Sequence, residues 1–407
     1  MNTLELQMER PLSIPRQQVT FTFLLCIMAY MLCGTIATMM SGFLPVAIPQ
    51  LVSDQSQVSE ISAFVNATFL YGWMAGGLLF GKLSDRFGRK PILLAVTTIC
   101  GLSTLVTVFV PNWQWLMIYR FFAGAGIGGV ILISTVYISE VWPKKTRPIA
   151  MGIMAVSFPI GIVSSGMLNL LADSWRNAFW IGLIPLLITG LLTLFMRESP
   201  YWEEGNEMGY KPEDKSIFSV NHKSTLIRGA VIYGTVLIGL WGIFSWLPTW
   251  IQSLLPEGVA GNDERGMVMM LLGIGGIVGG ILSGWLIKIF GERKTLLGTF
   301  LGCILACFIL FLLNTQFTRI IYLQTAFLSL FLGISQGALS VYIPGLFPAS
   351  VRGTATGFCF NIGRLFTATA VFFIGSLVTI FGGFGNALFS FSFTFLVAFV
   401  ALFIQKK

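Results

Sequence analysis

Charge is scarce in this chain: Asp, Glu, Lys and Arg make up 10% of its 407 residues, against about 25% in an ordinary soluble domain. With 55% hydrophobic residues and a mean hydropathy of +0.82, most of the chain cannot face water. That rules out a soluble enzyme, a nucleic-acid-binding module and a disordered adaptor. Histidine is nearly absent: His222 alone is present, in a polar central segment, so a histidine relay or metal site within apolar surroundings is excluded. The six cysteines, Cys26, Cys33, Cys100, Cys303, Cys307 and Cys359, all fall inside apolar runs. They read as small packing residues with neither a disulfide framework nor metal-ligand spacing. No phosphate-binding glycine loop and no nucleophile with a nearby histidine occurs, so neither enzymatic activity nor a cofactor is expected.

What is present is a series of long apolar runs. A helix needs about 20 mostly apolar residues to cross the roughly 30 Å hydrocarbon layer of a bilayer. Twelve such runs occur, at about 20–46, 61–81, 91–110, 114–138, 149–171, 177–196, 227–251, 266–287, 295–313, 320–343, 354–380 and 385–404. Period-two alternation in short blocks is missing, which argues against a β-barrel. The first run is too long, and lacks the small-residue cleavage site, to be a removable signal peptide.

The formal net charge is +8, and its arrangement explains it. With the N-terminus cytoplasmic, the inner segments hold 20 Lys and Arg, from Arg10 and Arg16 to Lys406 and Lys407, whereas the outer segments hold only Arg176, Arg265 and Arg319. This is a positive-inside bias, and the basic excess is membrane electrostatics rather than a nucleic-acid signal. Both termini are expected in the cytoplasm, in a bacterial inner membrane.

The longest polar stretch, Arg197 to Ser224, divides the spans six and six, and the two groups resemble each other at an offset of about 205 residues. SEVWPKKTRPIAMG from Ser139 aligns with PGLFPASVRGTATG from Pro344, and GKLSDRFGRK from Gly81 pairs with GWLIKIFGERK from Gly284. Two copies of a six-span unit mark a transporter whose halves rock about a site at their interface. The expected fold is an all-α membrane protein of twelve transmembrane helices in two six-helix repeats. Its expected parts are a cytoplasmic N-terminal segment (1–19), two bundles (20–196 and 227–404), a cytoplasmic central loop (197–226) and a short cytoplasmic tail (405–407).

These motifs resemble those of the major facilitator superfamily over essentially the whole chain. GKLSDRFGRK is similar to the superfamily's loop between spans two and three, and YRFFAGAGIGG from Tyr119 to its glycine-rich fourth span with an arginine, here Arg120. RESPYW at Arg197 resembles the motif that closes the sixth span in sugar-porter-like and organic-ion-transporter-like branches. FNIGRLFTA from Phe360 resembles the eleventh span of carboxylate and metabolite carriers, including those for aromatic acids, nicotinate and sialic acid. The resemblance implies an alternating-access carrier.

The loop residues suit an inner gate. Gly81 allows close helix approach and Gly88 a turn. Asp85, Arg86, Arg89 and Lys90 form a charged cluster whose second-half counterparts exchange sign, with Lys288 in place of Asp85 and Glu292 in place of Arg89. Glu140, Arg147 and Arg352 are further candidate partners, and the pairs are expected to part when the inner side opens. The competing reading is that these charges only set topology.

No Asp or Glu lies in the interior of any span, whereas Arg120 and Arg364 do. Arginine cannot shed its charge, and at bilayer depth it costs at least a few kcal/mol, so each needs compensation. Arg364 lies twelve residues past Arg352, roughly 18 Å along a helix and near the bilayer centre. With no carboxylate on the chain to pair with it, its natural counter-ion is one carried by a substrate, held by the guanidinium fork. The alternative is a structural arginine bonded to Asn361, Thr367 or Thr369. Arg120 begins about six residues inside the end of span four, from where it can reach toward water. In relatives the matching arginine is implicated in coupling or helix positioning, and a purely structural role is equally open. Around Arg364 the candidate pocket residues are Asn361, Trp241, Phe244, Ser245, Gln336, Tyr342, Asn66 and Tyr71, with Pro248 able to open the seventh span locally.

Span one reads GTIATMMSGFLP, with Met39 and Met40 where related symporters carry an acid. Proton symport through a side chain is therefore in doubt. Facilitated diffusion, anion exchange and a proton travelling with the substrate carboxyl remain. The expected function is transport of a small organic anion, a monocarboxylate with a ring or polyol body, by a monomer in the lipid bilayer with a proton or counter-anion as partner and no nucleic acid. The alternatives are a neutral-sugar carrier, a drug or metabolite exporter, and a non-transporting receptor on the same fold.

Overall fold

The computed structural model describes residues 14–207, 220–347 and 352–404. The first helix, α1, is Arg16–Leu51, four residues earlier than the expected start at 20. It is followed by α2 (Val58–Phe87), α3 (Arg89–Val106), α4 (Trp113–Val141) and α5 (Arg147–Leu171). The sixth, α6, is Trp175–Phe195. A short helix, Pro200–Glu207, then leads toward α7 (Val220–Leu254). The second half continues with α8 (Asn262–Phe290), α9 (Glu292–Leu312), α10 (Ile320–Gly345) and α11 (Arg352–Phe372). The last span, α12, is Phe384–Phe403.

Eleven of these helices are, among the described residues, long and apolar enough to cross a membrane. The exception is the run expected at 354–380. It is helical but divided into α11 and a second piece, Ile374–Phe381. Its first part carries Arg352, Asn361, Arg364 and several threonines and glycines, which lower its hydropathy because this helix lines the interior rather than lipid. Pro248 does not open the seventh span as expected: α7 runs unbroken through it.

The same packing pattern occurs in both halves. Within the first, α2 lies along α4 and α1 along α5; within the second, α8 lies along α10 and α7 along α11. Small residues permit these approaches, since apolar helices in lipid gain little from hydrophobic association and must gain from close backbone contact. A Cβ on Gly34 of α1 would collide with the Phe158 carbonyl oxygen of α5, and the α7–α11 crossing brings Gly234 against Gly363. Tight turns follow α2 and α8 at Gly88 (φ 103°) and Gly291 (φ 78°), a region that L side chains rarely enter.

The halves meet along α2–α11, α5–α8 and α1–α7. Three hydrogen bonds are described between them. Asn66 Nδ2 donates to the Ser245 carbonyl (3.4 Å), Tyr71 and Thr369 share a bond (2.9 Å), and Arg265 Nε donates to the Gly42 carbonyl (2.9 Å). All three lie in the middle of the bundle or toward the end remote from the basic loops. Toward those loops, a Cβ built on Gly152, Gly284 or Gly357 would meet nothing within 4 Å.

Candidate functional site

Arg364 sits in the middle of α11, half-buried. Its Nη1 donates to Asn361 Oδ1 one turn earlier (3.3 Å), and its guanidinium carbon lies over the Trp73 ring, 5.2 Å from the centroid. Tyr30 and Tyr233 are within electrostatic reach. Among the described residues it forms no ion pair and no further hydrogen bond. None of its nitrogens is both buried and unpartnered among the described residues. A guanidinium carries five N–H donors in a fixed fork, and here most of that capacity remains available.

Aromatic rings build the wall beside it. Trp73 of α2 meets Trp241 of α7 edge to face (5.2 Å, 78°) and packs against Phe158 of α5 (5.8 Å). Trp241 leans on Phe244 (6.1 Å), and Tyr233 stacks on Phe360 (4.1 Å). Trp73 was invisible in the sequence, because a tryptophan in an apolar run has the same pattern whether it faces lipid or a guanidinium. Of the expected polar lining, Asn361 touches Arg364 and also donates to the Gly357 carbonyl (3.0 Å). Tyr71 bonds Thr369, five residues beyond Arg364 on α11. Asn66 and Ser245 meet each other through the Ser245 backbone. No described contact joins Gln336 to Arg364; Gln336 Nε2 is buried without a described partner, and Tyr342 is buried and not without a partner.

The other expected intramembrane arginine behaves differently. Arg120 does not reach toward water: it is 1% exposed, donates to the Ile36 and Ala37 carbonyls of α1 (2.9 and 3.5 Å), and lies 4.0 Å over the Phe69 ring. The fourth span's close fit against α1 and α2 turns it inward. A further buried arginine, Arg265, falls one position outside the expected span 266–287, among the residues expected in an outer segment. Arg265 belongs to the first turn of α8 and is 0% exposed.

Among the described residues, the charged loop contacts lie within the first half. Arg89 is gripped by Glu140, through Nε (3.2 Å) and Nη2 (2.8 Å), while its Nη1 donates to Asp85 (2.9 Å) and to the Ser84 carbonyl (2.9 Å). Glu198 of the RESPYW motif, not singled out in the sequence, accepts from the backbone of Arg89 (2.8 Å) and Lys90 (3.0 Å) and so caps α3. A carboxylate there satisfies orphan donors and meets the positive end of the helix. Trp202 Nε1 donates to the Asp85 carbonyl (2.8 Å), and Lys90 Nζ to that of Thr193 (3.1 Å). A Cβ on Gly81 would press on Leu132, and one on Gly88 would collide with Glu198. Arg86 is exposed over Phe87 (5.2 Å). Arg147 donates to the Trp142 carbonyl (3.2 Å), not to Glu140. Lys288 and Glu292 form no ion pair among the described residues. The side chains of Arg352 and His222 lie outside the described residues.

Two pseudo-equivalent six-helix halves that meet along α2–α11, α5–α8 and α1–α7 are the architecture of a membrane transporter. The chain belongs to the Major Facilitator Superfamily, whose family model matches residues 30–371. It is 27% identical over 342 residues to the cis,cis-muconate transport protein of Acinetobacter baylyi, covering 81% of each chain. It is 31% identical over 300 residues to the sialic acid transporter NanX of Escherichia coli, covering 71% of each. Its fold matches the crystal structure of a D-xylose–proton symporter with a TM-score of 0.76 at 19% identity, over 94% of this chain and 97% of that one. The protein is a multi-pass membrane transporter and not an enzyme.

Proposed function

We propose that this transporter moves a small organic anion, a monocarboxylate with a ring or polyol body, across the bacterial inner membrane by alternating access, with Arg364 pairing the carboxylate. The observation that carries the reading is the half-buried Arg364 fork, with one described hydrogen bond, to Asn361, and no ion pair among the described residues. No Asp or Glu lies deeper in any span than its end turns, so a substrate carboxylate supplies the missing countercharge in bidentate geometry. Muconate and sialic acid, named for two relatives, are both carboxylates. A neutral sugar would leave the guanidinium without an anion.

The basic loops and both termini face the cytoplasm, following the distribution of Lys and Arg. The Arg89–Glu140–Asp85 cluster stiffens the inner end of the first half, and the inner gate closes when Lys288, Glu292 and Arg352 of the second half are brought against it. Because α1 holds Met39 and Met40 and no acid, the cycle balances Arg364 by exchanging one anion for another or by carrying a proton on the substrate carboxyl.

The test is a thermal-shift screen of the purified protein against carboxylates, sugars and amines, followed by uptake into proteoliposomes. Carboxylates should stabilise the parent chain but not Arg364→Ala, and uptake should respond to internal substrate or to a pH gradient. Stabilisation of Arg364→Ala equal to that of the parent would make the arginine structural and remove the anion reading.

A further inference from the structure

Arg265 carries a full charge into a place with no described carboxylate partner. Its guanidinium donates to the side-chain oxygen of Gln252 at the end of α7, to the Ala260 carbonyl (2.6 Å) and to Asn262 Oδ1 (2.6 Å), all within the second half. Its Nε crosses to the first half and donates to the Gly42 carbonyl of α1 (2.9 Å). The approach depends on two glycines. Gly261 adopts φ 65°, and a Cβ there would press on Gln252, Leu255 and Arg265; a Cβ on Gly42 would overlap Asn169 of α5. One turn along α8, the seam stays tight, with Gly166 of α5 lying against the Gly266 carbonyl and Met270. Burying an arginine is costly unless its donors are satisfied, and here one of them is satisfied by the opposite half.

We propose that Arg265 is a latch for the end of the cleft opposite the basic loops, holding the two halves together there and releasing α1 when the carrier opens at that end. Three of its acceptors travel with α8 and α7, so the guanidinium stays seated in the second half through the cycle. Only the bond to Gly42 breaks, and water replaces that carbonyl. Because the partner is a neutral carbonyl rather than a carboxylate, the two sides separate without leaving an unpaired buried anion behind, which would make opening far more costly. The proposal rests on alternating access and not on which substrate is carried.

Nitroxide labels placed through Asp173→Cys and Glu257→Cys, both exposed at the latch end, report the gap between halves by pulsed electron resonance in lipid nanodiscs. A second pair, Lys144→Cys and Lys294→Cys, reports the basic end. The six native cysteines are buried, and the parent chain without introduced cysteines serves as the labelling blank. In Arg265→Met the population with a wide latch-end distance should rise about tenfold or more, the worth of one charge-assisted bond, while the basic-end pair draws together. Arg265→Lys should fall between. If Arg265→Met does not fold, Gln252→Ala and Asn262→Ala, which loosen the seat of the guanidinium, should move both distributions in the same direction by less. Unchanged distances at both ends in any folded Arg265 variant would overturn the proposal. The carboxylate thermal shift, read on the same variants, reports separately on Arg364.

Discussion

The guanidinium of Arg364 on α11 lies 5.2 Å over the ring of Trp73 on α2, so the charge and the π-face beneath it come from opposite halves of the protein. Trp73 in turn meets Trp241 of α7. The ring lies against the guanidinium while Nη1 donates to Asn361 Oδ1, and on the proposed carboxylate reading any rocking of the halves moves the ring relative to the charge.

Removing the charge should abolish recognition of the anion. Truncating one partner of a desolvated charge pair costs about 2–5 kcal/mol, so Arg364→Ala should weaken binding by about thirtyfold or more, measured as the ligand concentration giving half the maximal thermal shift. Arg364→Lys keeps the charge but not the fork and should recover only part of the loss.

Trp73→Leu removes the face beneath the guanidinium. A cation–π contact of this kind is worth about 0.5–2 kcal/mol, which predicts a two- to thirtyfold weaker anion affinity, by about the same conversion. Trp73→Phe should retain more than Trp73→Leu. Substrate-induced change in tryptophan emission should shrink in both variants relative to the parent, read in a fluorescence titration.

The loop cluster predicts a contrast between two carboxylates that grip the same arginine. The side chain of Glu140 is 11% exposed and that of Asp85 is 68% exposed. Glu140→Gln strips the charge from the buried partner and should destabilise by about 1–3 kcal/mol. Asp85→Asn loosens an exposed pair and should cost about 1 kcal/mol or less. Denaturant unfolding of the two variants in the same detergent measures the difference, and equal losses would contradict the geometry.

Gly88 holds φ 103° and ψ 160°, in a region essentially confined to glycine. Gly88→Ala should therefore cost about 1–3 kcal/mol from backbone strain, and its Cβ would also displace Glu198 from the start of α3. A lower melting temperature with unchanged anion affinity is the expected result, because the turn lies far along α2 from Arg364.

Much of the architecture was legible from residue order. Twelve apolar runs were visible because lipid demands long stretches without charge, and the divided helix at 354–380 departed from that pattern where Asn361 and Arg364 enter the interior. Ends of helices were less legible. Arg265 fell among the residues expected in an outer segment because a helix start is defined by backbone bonds that composition does not show, and Glu198 looked like one more charge in a polar motif until its oxygens were seen on the Arg89 and Lys90 amides. Residue type alone brings Gln336 into the candidate pocket, and in the fold its Nε2 is buried without a described partner.

Residue order by itself determined that the chain is a two-part bundle in a membrane and that its interior spans carry arginine without acid, because bilayer insertion acts on each segment separately and leaves its record in local hydropathy and charge. Which arginine stays free was decided only by the folded bundle. Arg120, Arg265 and Arg364 are chemically the same group, and what separates them is helix rotation and depth of packing: carbonyls of α1 reach the first two, while the third, only half-buried, has one described hydrogen bond, to Asn361 on its own helix.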